Sequence, residues 1–160
     1  MFKKFLITDS SPAQLFIRLA LGVVMFPHGA QKVLGWFGGS GITKTLQAFA
    51  GMGFPAWSVV ALMAVESLGA VLLVFGFLTR LWAIGIGAMI TICMFLSHVQ
   101  HGFFMNWFGQ QQGEGFEYHI LVIGTCLALL IKGGGALSVD RKISSGGKHG
   151  YSRRSSRFSQ

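Results

Sequence analysis

Five side chains in one stretch of the sequence can hold or move protons: His98, His101, Glu114, Glu117 and His119, within HVQHGFFMNWFGQQQGEGFEYH. Imidazoles titrate close to neutral pH, and a carboxylate with a shifted pKa accepts protons, so this set suits general acid–base or proton-coupled redox chemistry. The same atoms are nitrogen and oxygen donors for a transition metal. Phe103, Phe104, Trp107, Phe108, Phe116 and Tyr118 fill the interval with aromatic faces on which a flat ring can stack.

The elements that position these residues are apolar. Hydrophobic residues make up 52% of the 160 and charged residues 11%, with a mean hydropathy of +0.59. A soluble domain carries about 25% charged residues. This chain lacks the polar surface to coat a soluble globule, so it reads as an all-α integral membrane protein. Four spans are expected, over 13–34, 55–78, 81–100 and 116–132. A short interfacial helix lies in the first outer loop over 43–50, with Leu46, Phe49 and Ala50 on one side. The basic start followed by an apolar run outlines a signal peptide, but Arg18 interrupts it and no A-x-A follows, so the first span is expected to be retained.

The net charge of +8 sits mostly at the end of the chain. Seven of the thirteen Lys and Arg fall from Lys132 onward, which is a topology signal and not a nucleic-acid surface. Lys3, Lys4 and Arg80 fall on the same side, which puts both termini in the cytoplasm. Residues 1–137 form the membrane domain. Residues 138–160, rich in Ser, Gly, Lys and Arg, are expected to be a disordered cytoplasmic tail, with Arg153, Arg154 and Arg157 available to lipid headgroups. Cys93 and Cys126 lie in apolar segments with no CxxC, and read as small buried side chains.

Charges inside spans need a partner or a purpose. Helix rise places His28, Glu66, His98, His101, Glu117 and His119 in the outer half and Arg18 towards the inner side. Three readings compete. In the first, Arg18, Glu66 and the histidines neutralise one another and fix helix register, with Glu66 held by Arg18 or His28. In the second, the outer groups accept protons from a quinol held among the aromatics. In the third, His98, His101, His119 and Glu117 ligate a metal. The paired Glu-x-x-His pattern of di-iron bundles is absent, and no metal is assigned. His98 and His101 are expected to share a face at i, i+3. Ala83 with Gly87, and Gly124 with Ala128, are expected to let helices approach closely.

The order RLALGVVMFPHGAQKVLGWFGG, GFP, ESLGAVLLVFGFLTR, a histidine late in the third span and GFEYHILVIG resembles the DoxX family over Leu15 to Asp140. The resemblance implies a four-helix membrane bundle with both ends inside. It also implies a polar signature of Arg18, His28, Lys32, Glu66, Arg80, His98, Glu117 and His119. The wider family includes subunits similar to those of a thiosulfate:quinone oxidoreductase. The expected function is therefore a quinone-linked oxidoreductase subunit of the inner (plasma) membrane, acting in sulfur or thiol redox chemistry. His98, Glu117 and His119 are its catalytic residues, with His28, Glu66, Phe104 and Trp107 against the quinone. Arg18 and Glu66 form a charge pair, and Lys32 attracts an anionic substrate. Expected partners are the lipid bilayer, membrane or peripheral redox subunits and further copies of the chain, but not nucleic acid. The alternatives are a non-catalytic membrane scaffold and, third, a small-solute carrier, for which no inverted repeat is visible.

Overall fold

A computed structural model describes residues 5–145. Lys3, Lys4 and the basic tail from 146 on, including Arg153, Arg154 and Arg157, lie outside the described residues. Among those described, the chain is helical throughout, with no strand. Three helices are long and apolar enough to cross a membrane: α1 (Ala13–Val33), α3 (Ala56–Phe75) and α4 (Thr79–His101). Between the first two lies α2 (Gly41–Gly51). The expected fourth span is a shorter helix, α5 (Glu117–Lys132), of 16 residues, followed by α6 (Val139–Ser145).

Sequence periodicity explains how these helices pack. On α1 the buried residues Gln14, Arg18, Leu21, Met25 and Gly29 recur at three- and four-residue steps, one face of a helix. That face meets the second half of α3 in the most extensive contact among the described helices, and it also meets α5, which packs in turn against α4. Leu21, Met25, Leu73, Ile86, Val122 and Leu129 form the shared core. Outward faces are apolar too: Phe16, Trp57, Phe75 and Leu121 are 60–75% exposed. An apolar exterior on this scale is out of place in water.

Small residues set two close approaches. A Cβ on Gly29 would lie 2.5 Å from the backbone of Glu66 and Ser67, so α1 and α3 touch main chain to main chain there. Gly76, at φ 67°, ends α3 in the left-handed region, and a Cβ on it would meet Ser138 at 2.5 Å. Ala83 is buried and Gly87 faces Cys126, but nothing lies within 4 Å of a Cβ on Gly124. The expected approach at Gly124 is therefore absent.

At the end of the molecule where the described residues begin and end, two arginines collect carbonyls that the helices leave free. Arg18 donates from Nε to Gly134 O (3.0 Å), from Nη2 to Ala136 O and Leu137 O (both 3.0 Å), and from Nη1 to Val74 O. Arg80 donates to Leu130 O at 2.8 Å, Phe5 O at 2.6 Å, Ile7 O at 2.7 Å and Ile131 O at 3.2 Å. The Arg18 contacts correct one expectation: its guanidinium is satisfied by backbone and makes no pair with Glu66. A single guanidinium presents five N–H donors in a fixed fork, enough to bind several carbonyls at once.

The second correction concerns residues 138–145, expected to begin the disordered tail. Ser138 and Asp140 are buried, and the Asp140 carboxylate accepts from the backbone N–H of Leu78 (2.7 Å) and Thr79 (2.8 Å) at the start of α4. Counting apolar surface alone missed this. A carboxylate capping a helix N-terminus docks a polar segment without a hydrophobic face. α2 occupies the expected loop, with Thr45 buried and Leu46 and Phe49 partly so, while Ala50 is exposed.

Candidate functional site

At the opposite end, two long helices break their α pattern. Val65–Gly69 in α3 and Met94–His98 in α4 are π turns, one holding Glu66 and the other ending on His98. Such turns insert a residue into an α-helix and are common where function needs a side chain re-aimed. In a plain α-helix at about 100° per residue, Cys93 and His98 would point roughly 140° apart. The π turn instead lets i and i+5 share a face.

As a result, His98 meets His119 of α5 with ring centroids 4.2 Å apart and planes at 45°. His98 Nδ1 lies 2.9 Å from Glu114 O. A carbonyl only accepts, so Nδ1 carries the proton and Nε2 keeps its lone pair. His119 is buried at 5% exposure, and its Nδ1 has no partner among the described residues. Cys93 Sγ and one nitrogen of each ring lie within 4.8 Å of one another. Tyr118 stands beside His119 at 5.8 Å between rings. It also closes one end of an apolar groove of about 410 Å³ between α1 and α5, lined by Phe16, Leu21, Val24, Leu121 and Thr125 among others.

The loop over this pair is tied to itself. Gly115, Phe116 and Glu117 donate their N–H groups to Phe104 O, Gly102 O and Phe103 O at 3.2, 3.2 and 2.9 Å. Asn106 donates from its backbone to Glu114 Oε2 at 2.7 Å and exchanges two bonds with Gln111. Trp107 Nε1 donates to Glu117 Oε1 at 3.3 Å. Glu117 thus anchors the indole and stands outside the imidazole pair. Phe104 and Trp107 are 67% and 78% exposed, on the rim.

Other expected site residues are placed elsewhere. His101 ends a 3-10 turn, Val99–His101, and its ring packs on Gly113; the α-helical i, i+3 face with His98 is lost. Glu66 is buried and makes an ion pair, Lys32 Nζ to Oε2, at 2.8 Å. Lys32 also donates to His28 O at 3.3 Å. Lys32 is therefore committed to a partner and is no free cation for an anionic substrate. Glu66 has Lys32, not Arg18 or His28, as its counter-charge. The His28 side chain is exposed. Sequence reasoning missed Cys93 as a site residue and the role of Lys32, and counted Tyr118 only among the aromatic faces. The π turn that recruits Cys93 has no mark in the residues, whereas the seven-residue step from Met25 to Lys32, two helical turns, put Lys32 on the buried α1 face.

Comparison with known proteins agrees with this architecture. The DoxX family model matches residues 13–99. A Bacillus subtilis (strain 168) protein described as "Putative oxidoreductase CatD" is 28% identical over 141 residues, 85% of this chain and 90% of that one. The "Inner membrane protein YqjF" of Escherichia coli (strain K12) is 27% identical over 129 residues, 81% of this chain and 90% of its own length. No solved structure gives a significant match. The family match spans more than half of the sequence and takes in three apolar helices together with Glu66 and His98, and the chain belongs to the DoxX family of membrane proteins.

Proposed function

We propose that the protein is a quinone-linked oxidoreductase subunit whose site is the His98–His119 pair. The observation that carries this is the buried, unpartnered His119 Nδ1, next to Tyr118 at the head of an apolar groove. A quinol loses its hydroxyl protons as it is oxidised, and a neutral imidazole at hydrogen-bond reach is the side chain suited to accept them. The groove between α1 and α5, lined by Tyr118, offers a lipid-soluble ring a seat one residue along the chain from His119. Phe104 and Trp107 supply aromatic faces at the rim, and Glu117 fixes the indole and offers protons a way out to the loop surface. Electrons pass to or from a partner subunit. The description of the Bacillus relative as a "Putative oxidoreductase" supports the same class.

In this reading α1, α3, α4 and α5 form a four-helix bundle across the inner (plasma) membrane. Both termini are cytoplasmic, the His98–His119 end faces outward, and α2 lies along the outer interface. α5 reaches only about 24 Å as a helix, against a hydrocarbon core of ~30 Å, and its flanking aromatic residues make up the difference in the headgroup layer. The name of the Escherichia relative, an inner membrane protein, supports that membrane.

A second reading, a non-catalytic scaffold, is favoured by one observation. Arg18, Arg80 and the Lys32–Glu66 pair all spend their charge on internal contacts. Purification in mild detergent separates the two: quinone that copurifies supports the redox subunit, and a stable partner without quinone supports the scaffold.

A further inference from the structure

The side chain that sequence reasoning treated as core filler completes a donor set. Cys93 Sγ and one nitrogen each from His98 and His119 lie within 4.8 Å of one another, the one such grouping among the described residues. We propose that Cys93, His98 and His119 form a thiolate–imidazole site for a late first-row transition metal ion, zinc or copper.

Four observations support the site. First, the donors are one soft sulfur and two nitrogens, a set that selects zinc or copper over magnesium or calcium. Second, ligands held at about 2.0–2.3 Å from one ion stand roughly 3.5 Å apart, so side-chain rotation of about 1 Å closes the present spacing. Third, His98 is oriented for ligation. Its Nδ1–H is held by Glu114 O at 2.9 Å, which fixes the tautomer and presents Nε2, as the outer partners of metal-bound imidazoles do. Fourth, His119 is nine-tenths buried with Nδ1 unpartnered, a polar atom that burial penalises until something binds it.

Three protein ligands leave a fourth position for water or another small ligand. On binding, the Cys93 S–H bond breaks, the S–metal bond forms and the proton leaves to solvent. The metal also takes the imidazole lone pairs that the proposed quinol chemistry uses, so occupancy and proton acceptance exclude one another. That exclusion rests on the proposed function, whereas the metal site itself does not.

The test uses the full chain in mild detergent with Cys126→Ser, so that Cys93 is the sole thiol. After chelator treatment it is given Zn²⁺ or Cu⁺ alone and desalted. Retention of about one equivalent of either ion is expected, with Cys93 alkylation slowed about tenfold or more because a metal-bound thiolate is no longer a free nucleophile. Co²⁺ in place of zinc should give the near-ultraviolet charge-transfer band of a thiolate ligand. Cys93→Ser and His119→Ala should each abolish retention while helix content by circular dichroism is kept. The proposal is overturned by absence of stoichiometric metal in the Cys93 protein, or by equal retention in Cys93→Ser. Alkylation that neither ion slows overturns it without any variant that could misfold. Loss of quinone binding alone would bear on the proposed function and leave this result untouched.

Discussion

Lys32 Nζ stands 2.8 Å from Glu66 Oε2, and the contact exists because Gly29, three residues earlier on α1, lets the π turn of α3 lie directly on its backbone. The two side chains are 24% and 9% exposed. Removing one partner leaves a poorly solvated charge, so Glu66→Gln or Lys32→Met should each cost roughly 2–4 kcal/mol in detergent unfolding. The double variant should recover most of that loss. Equal stability of all four proteins would mean the pair is solvated in practice. Gly29→Val should resemble the worse single variant, because it separates the helices.

The carbonyl cluster of Arg18 and the cap made by Asp140 together hold residues 134–140 against the end of the helices. Asp140→Ala should free that segment at a cost of about 1 kcal/mol, the usual worth of an N-cap. Tryptic cleavage after Arg141 and Lys142 should then be faster. Arg18→Lys should fail to restore the cluster, since one ammonium cannot reproduce a planar fork spread over four carbonyls. Unchanged cleavage in both variants would show that the docked segment is held by something else.

How legible all this was depends on the kind of signal. Three of the four expected spans were legible, because length and hydropathy suffice for them: 13–34, 55–78 and 81–100 are found as Ala13–Val33, Ala56–Phe75 and Thr79–His101, whereas the fourth, expected over 116–132, is the shorter helix that carries His119. His98 and His119 were singled out by residue type and place, and the structure brings their rings together. Their partners were not legible. Assigning Glu66 to Arg18 or His28 rested on their place across the helix pair and left Lys32 for an anionic substrate. Helix crossing, set by one glycine, decided for Lys32 instead. Cys93 was hidden because α-helical spacing turns it away from His98, and only the π turn reverses that.

Membrane orientation is tested by labelling in intact cells. Ser40→Cys and Gln111→Cys lie in the two loops at the imidazole end, and Ser145→Cys lies at the docked end. An impermeant thiol reagent should reach the first two and not the third. Labelling of Ser145→Cys from outside would invert the proposed topology and place the imidazole pair in the cytoplasm.

The π turn itself makes an unusual prediction. Deleting Leu96, which is 56% exposed, shortens the step from Cys93 to His98 to four residues. An α-helix places i and i+4 about 40° apart, so the deletion should keep His98 facing His119. The protein should fold and bind quinone as before. If Met94–His98 were an ordinary α-helix, the same deletion would swing His98 by about 100° and abolish binding.

The proposed quinol chemistry assigns different losses to different side chains. His119→Ala removes the buried acceptor and should lower quinol turnover by roughly 10²–10⁴ with the helices intact. His98→Ala should lower it similarly, since the second ring is lost along with the Glu114 clamp that orients it. Trp107→Ala and Glu117→Gln act at the rim, so they should raise KM more than they lower kcat. Each assay is made with the partner subunits that copurify with the wild type, and with circular dichroism to confirm helix content. Folded His98→Ala and His119→Ala proteins that keep full turnover would remove the imidazole pair from catalysis. The charge pairs would then stand as the framework of a scaffold, and the groove beside Tyr118 as a surface for lipid.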